Sequence, residues 1–320
     1  MFKNKYGEVR SGWGIFIGLL LWLFASGLLS VGLGVFLGFQ AGMEYGATGS
    51  LPAIDPAAIQ ETATAIASNP LFNCGALVLC ILATLLAFRM VYGKRPLSQM
   101  GLSPKSCFPQ LLGGCLLGAV SIALAFVLLL VTGSLNIVSI QWNALGNPLF
   151  WASFLMYILV AFNEEMLCRG YMMTALKTTR SRAAIIFISS IIFSLLHLFN
   201  PNLSGLGLFN IALIGVVFAL QFIQTGRLWV PIGFHFLWNF VQGNVLGMNV
   251  SGTENISILQ SEITGPWWWT GGAFGPEGGL AVTAVVVLNI LIALFLMRPK
   301  NTLPWALDSE LPMLRPRRAK

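Results

Sequence analysis

The chain has 320 residues, 56% of them hydrophobic and 9% charged, with a mean hydropathy of +0.80. Soluble domains carry about 45–50% apolar and about 25% charged residues, so this composition excludes an ordinary soluble protein and points to an integral membrane protein. The formal charge of +7 raises nucleic-acid binding, but the basic residues track membrane topology instead, which excludes that class.

Eight apolar segments follow one another at 13–39, 71–91, 108–132, 148–176, 183–199, 207–223, 228–248 and 279–297. A helix needs about 20 apolar residues to cross a hydrocarbon core. The sequence therefore predicts an all-α, polytopic transmembrane helical bundle of about eight helices. The fifth and sixth segments are short, and the long fourth reads as two pieces meeting near Gly170. Lys3, Lys5 and Arg10 ahead of the first segment resemble the start of a signal peptide. The apolar run continues to Phe39, too far for a signal, so it reads as a retained first span.

Basic residues test this count. Lys3, Lys5 and Arg10 precede the first span, and Arg89, Lys94, Arg95 and Lys105 join the second to the third. Lys177, Arg180 and Arg182 join the fourth to the fifth, Arg227 the sixth to the seventh, and Arg298, Lys300, Arg315, Arg317, Arg318 and Lys320 follow the eighth. Seventeen of the eighteen Lys and Arg thus fall on one side, which predicts two cytoplasmic termini. The opposite connections at 40–70, 133–147, 200–206 and 249–278 hold no Lys or Arg, but do hold Glu44, Asp55, Glu61, Glu254, Glu262 and Glu277. Arg169 is left over.

Three regions follow. Residues 1–147 carry the first three helices and an outer loop at 40–70, residues 148–248 carry a core of four helices, and residues 249–320 carry an outer loop, the last helix and a basic tail. Asp55-Pro56 reads as the start of a short surface helix that Asn69-Pro70 ends. Gly34, Gly38 and Gly42, and again Gly114 and Gly118, stand four apart, a spacing that lets membrane helices pack closely. Internal packing is the preferred reading over a self-dimer. Pro266 and Trp267-Trp268-Trp269, followed by five glycines up to Gly279, read as a flexible outer segment anchored at the interface. Cys74, Cys80, Cys107, Cys115 and Cys168 lack metal-type spacing and read as small buried hydrophobes.

The chemistry gathers at Asn163-Glu164-Glu165-Met166-Leu167-Cys168-Arg169-Gly170, inside the fourth apolar run. A charge at bilayer depth is costly unless it is paired or faces water, and is functional by default. Glu165 and Arg169 stand four apart and share a helix face. Glu164 is turned about 100° away, which leaves it without a local partner. That is the state in which a buried carboxylate serves as a general base or acid. The two histidines of the chain also fall in predicted spans, each with a neighbour four residues away: Phe193 with His197, and His235 with Asn239. Cys168 is a poor nucleophile, because the two carboxylates beside it oppose thiolate formation. Two chemistries stay open on residue types alone. A divalent metal such as zinc can be held by Glu164, His197 and His235. Alternatively Glu164 polarises a water without metal, while His235 and Asn239 donate to a developing oxyanion. Both hydrolyse an acyl bond. A non-proteolytic scaffold or immunity protein, and a proton-coupled transporter, are the weaker alternatives.

Glu164-Glu165 with Arg169, then Phe193 with His197, then His235 with Asn239 resemble the intramembrane CAAX-protease and bacteriocin-processing family, which includes the type II CAAX prenyl endopeptidases. That family's pattern is Glu-Glu-x-x-x-Arg, Phe-x-x-x-His and His-x-x-x-Asn/Asp on successive helices. The resemblance runs from about Pro148 to Val245. It implies an intramembrane peptidase acting on a membrane-associated protein or peptide. It implies that Glu164 and His197 activate water, that His235 and Asn239 form the oxyanion site, and that Glu165, Arg169 and Phe193 support them. Members have been described as metalloproteases and as glutamic proteases. The neutral Asn239 and the supply of only two imidazoles favour the glutamic type, with no cofactor assigned and zinc as the alternative. The lipid bilayer is the expected partner and a prokaryotic plasma membrane the expected location. Substrate and oligomeric state are left open. Counted along upright helices, His197 should lie roughly 10 Å outward of His235.

Overall fold

The computed structural model describes residues 2–4, 9–48, 66, 69–179 and 181–295. Every expected span holds a helix. These are α1 (Ser11–Thr48), α2 (Pro70–Tyr92), α3 (Cys107–Val131), α4 (Pro148–Glu165), α5 (Arg182–Leu195), α6 (Gly205–Thr225), α7 (Trp229–Phe240) and α8 (Leu280–Phe295). Their starts are written in the local sequence. Asn69 and Asn147 accept from the amides of Leu71 and Leu149, each ahead of a first-turn proline, and Ser181 and Ser204 cap α5 and α6 in the same way. Asn69-Pro70 opens α2, and the surface helix that it was expected to end falls outside the described residues. The helix start expected at Asp55-Pro56, and the basic tail, lie outside the described residues.

Ser11–Leu28, Pro70–Tyr92, Cys107–Val131, Pro148–Thr179 and Gly205–Thr225 are long and apolar enough to cross a membrane, whereas Arg182–Leu195 and Leu280–Phe295 are shorter. The exposure pattern agrees with a lipid surrounding. On α3, Phe108, Leu112, Leu116 and Val120 are exposed, while Gly114, Gly118, Ser121, Ile122, Ala125 and Leu129 are buried. An apolar outward stripe of this kind would be a liability in water and is ordinary against lipid. The protein is an integral membrane protein.

Small residues set the closest packing. A methyl group at Gly114 or Gly118 would collide with the carbonyl of Val230 or Phe234 on α7, and one at Gly233 would collide with the Leu111 carbonyl on α3. The two backbones touch, as the spacing of Gly114 and Gly118 suggested, and the contact is internal. Gly34 has open space beside it, and Gly38 and Gly42 fall outside the described packing.

The helical class needs one amendment. Residues read as outer loops form strand β1 (Leu135–Ile140) and strand β2 (Leu259–Ile263), paired antiparallel with Leu135 opposite Ile263 and an irregularity between Ile137 and Ser139. The Trp/Gly segment is not a loose tether either. Trp267–Thr270 makes one helical turn, and Gly271, Gly272 and Gly275 take positive φ. Thr270, Phe274 and Glu277 are buried, and a side chain at Gly271 would strike the Gly275 carbonyl. Glycine here permits dense packing.

Replacing Gly118 by leucine forces α3 away from the Phe234 carbonyl. Overpacking of this kind removes about 1–3 kcal/mol of stability or more. Thermal unfolding of Gly118→Leu in detergent should show a clearly lowered midpoint, whereas Gly34→Leu should leave it in place.

Candidate active site

The motif sits where a helix changes pitch. α4 ends at Glu165, and the chain continues as a π turn over Met166–Met172 before a last α turn at Met173–Leu176. The fourth segment is thus one continuous helical run, not two pieces meeting near Gly170. π turns are uncommon and gather at functional sites.

Glu165 and Arg169 are fully buried and paired, Nη1 to Oε1 at 3.1 Å. The other arm of the guanidinium, Nη2, donates to the Gly215 carbonyl on α6 at 2.9 Å. Its Cζ lies 4.3 Å from the ring centre of Phe193 and 5.1 Å from that of Phe218. Aromatic faces attract a desolvated cation, so Phe193 is a platform for Arg169 as well as a neighbour of His197. The approach at Gly215 is close: a Cβ there would sit 3.0 Å from Ser190 and 3.3 Å from Nη2.

His235 on α7 is held from two sides. Its Nδ1–H donates to Glu165 Oε1 at 3.2 Å, and its ring stacks on Phe218 at 5.0 Å and 18°. With Nδ1 so used, Nε2 faces Glu164 Oε2 at 3.9 Å. His197 does not lie within a helix, contrary to the sequence reading. α5 stops at Leu195, and His197 occupies the turn that follows. Its Nδ1–H donates to the Phe193 carbonyl at 2.8 Å, which leaves Nε2 facing Glu164 Oε2 at 3.7 Å. Both histidines therefore meet at one carboxylate oxygen, and the 10 Å offset expected of upright helices is absent. Asn239, one turn beyond His235, lines the same cavity.

That cavity has a volume of about 440 Å³ and reaches Trp22 and Ser26 on α1, Leu77 and Cys80 on α2, and Met156 and Val160 on α4. Two of its residues escaped the sequence reading. Trp22 donates from Nε1 to Asn163 Oδ1 at 2.9 Å, which ties α1 to the residue before Glu164. Nothing in the local sequence marks Trp22. Glu277, counted only as an outer acid, lines the cavity wall and is buried. Burial raises its carboxyl above the ordinary carboxylate range, while the Ser251 amide and the nearby His197 work against that. Its one sequence signal is that it is the sole charge in a Gly- and Trp-rich run. Cys168 is fully buried behind the motif.

Residues 146–241 match the family model described as type II CAAX prenyl endopeptidase Rce1-like. This helical core is similar to the Rce1-like family over that stretch. The match contains Glu164, Glu165, Arg169, Phe193, His197, His235 and Asn239, and it leaves Trp22 and Glu277 outside. No curated protein matches the chain, and no solved structure matches it. The family is one of proteases, which fits a polar constellation around a cavity in a membrane protein.

The matched core has the donor types of a catalytic zinc site, two imidazoles and a carboxylate. Among the described residues, however, no group of three or more His, Cys, Asp and Glu is placed to hold a metal ion. No step below is routed through an ion.

The buried pair gives a direct test of what holds the matched core together. Arg169→Met leaves the buried Glu165 with His235 as its remaining partner, and removing one member of a buried ion pair costs about 3–5 kcal/mol. Glu165→Gln in the same chain removes that charge, so the double variant should recover part of the loss. Unfolding curves of the two singles and the double, run in one detergent, measure the recovery.

Proposed function

We propose that the protein is an intramembrane endopeptidase that hydrolyses a peptide bond in a membrane-associated protein or peptide. In this reading it crosses the membrane eight times with both ends cytoplasmic. The observation that carries the proposal is the meeting of the chain's only two histidines at Glu164, with Nε2 atoms 3.7 and 3.9 Å from Oε2.

Spacings of this size suit a water seated between Glu164 and His197. Glu164 takes its proton as the oxygen attacks the scissile carbonyl, and His197 Nε2 accepts a hydrogen bond from the same water and orients it. The carbonyl oxygen becomes an oxyanion, and Asn239 and His235 donate to it. Because Nδ1–H of His235 is committed to Glu165, His235 donates from Nε2 only as an imidazolium. Glu164 and Glu165 then flank that charge, and Arg169 balances the second carboxylate. When the tetrahedral intermediate collapses, Glu164 returns the proton to the leaving amine. Glu165 and Arg169 act by holding His235, not by touching substrate.

The lining that faces α1, α2 and α4 is largely apolar, which suits a hydrophobic segment lying along the cavity. No residue of the cavity singles out a prenyl chain as the required substrate.

Purified protein with a library of membrane-derived peptides tests the reaction. Glu164→Gln and His197→Ala should each lower kcat about 10²–10⁴-fold, and Asn239→Ala about 10²–10³-fold. Folding should be unchanged, because none of these three side chains joins the Glu165–Arg169 pair. Cleavage by Glu164→Gln at the wild-type rate overturns the mechanism. A second measurement concerns the metal: activity should survive chelation, and elemental analysis should find zinc well below one ion per chain. Stoichiometric zinc whose removal stops cleavage would replace the glutamic mechanism with a metal-dependent one.

A further inference from the structure

His197 stands beyond the end of α5, and local turn hydrogen bonds are what the chain itself offers to fix it. The His197 amide reaches the Ser194 carbonyl at 3.0 Å, and the Asn200 amide reaches the His197 carbonyl at 3.0 Å. The far side of this turn rests on the outer segment. Gly252, at φ 84°, lies so close to Pro201 that a Cβ would strike the Pro201 carbonyl. Its amide donates to the Phe274 carbonyl at 2.8 Å.

One residue earlier, Ser251 takes a left-handed φ of 49°. A non-glycine residue keeps such a backbone only where its surroundings enforce it. Glu277 supplies the enforcement: its Oε2 accepts from the Ser251 amide at 2.8 Å and from Ser251 Oγ at 3.3 Å. Glu277 is itself anchored, since its carbonyl accepts from Asn210 Nδ2 on α6 at 2.8 Å and the same nitrogen reaches the Gly279 carbonyl at 3.0 Å. A continuous path of contacts thus runs from Asn210 through Glu277, Ser251, Gly252 and Pro201 to the turn that carries His197.

We infer that Glu277 is a positioning residue for His197: its carboxylate clasps Ser251 and so presses the turn at 250–253 against Pro201, which fixes the imidazole opposite Glu164. This rests on the reading of His197 as part of the hydrolytic site. Glu277 lies outside the matched Rce1-like stretch. In this protein, then, the outer segment completes a site whose chemical groups all come from the core.

Because the chain has two histidines, labelling them isotopically gives one ring signal each and needs no substrate. In Glu277→Ala the His197 signal should move or broaden, while the His235 signal, fixed by Glu165 and Phe218, should stay. Glu277→Gln keeps an acceptor oxygen and should restore the His197 signal. Gly252→Ala pushes on the same turn from another point and should disturb His197 alone. With a cleavable peptide, Glu277→Ala and Gly252→Ala should lower kcat about 10–100-fold with little change in KM, as a misplaced catalytic group does. An unmoved His197 signal in folded Glu277→Ala overturns the inference. Should Glu277→Ala fail to fold, an unmoved His197 signal in Gly252→Ala overturns it instead. If wild-type protein cleaves nothing, the proposed reaction fails while the ring signals still decide the clasp.

Discussion

An arginine buried to the last atom is the constraint from which the rest of the site follows. A guanidinium out of water is costly unless it is paired and hydrogen-bonded. Arg169 finds a carboxylate four residues back on its own helix, a carbonyl on α6 and two aromatic faces. Each partner dictates something further. The carbonyl belongs to Gly215, whose lack of a side chain lets α6 pass close to Ser190 and the guanidinium. The rings of Phe193 and Phe218 fix α5 and α6 around the cation. Glu165, neutralised by Arg169, is then able to hold His235 by Nδ1. One pair therefore connects four helices and commits one ring nitrogen of a histidine on the last of them. Glu164, the neighbour that takes no part in the pair, is the carboxylate left facing the cavity.

Much of this was legible because it is local. Four-residue spacing on a helix is a property of the chain alone, so the Glu165–Arg169 pair could be read before any packing was known. Hydropathy placed every long helix for a similar reason, since lipid imposes length and composition on each span separately. The position of His197 was not legible. The apolar run continues through Leu198 and Phe199, and Phe199 is 98% exposed. Apolarity there reports surroundings, not helix, so the run outlasts α5. Trp22 and Glu277 were invisible as site residues because they arrive by tertiary packing across long stretches of chain. The pairing of β1 with β2 was hidden likewise, since neither strand is stable without the other.

Glycine shows the limit most clearly. On α3 its spacing predicted a close helix contact, and the contact exists with α7. Beyond Trp269 the same residue type suggested looseness, and there too it serves close approach, with carbonyls where side chains would be. The difference lies in what surrounds each glycine. A short sequence window carries no record of that when the neighbours come from elsewhere in the chain. As a result α7, and His235 with it, is positioned by a backbone contact with α3.

The π turn at Met166–Met172 has a consequence for how such a helix can change in length. Geometrically, a π turn is an α-helix that has taken in one extra residue. Losing one residue there would return the backbone to ordinary pitch with the helix on either side still in phase. Anywhere else in α4 a single-residue deletion would swing one half about its axis and carry Glu164 away from both imidazoles. The motif thus lies beside a place in its helix where the loss of one residue keeps the flanking turns in phase, provided that the four-residue spacing of Glu165 and Arg169 is kept.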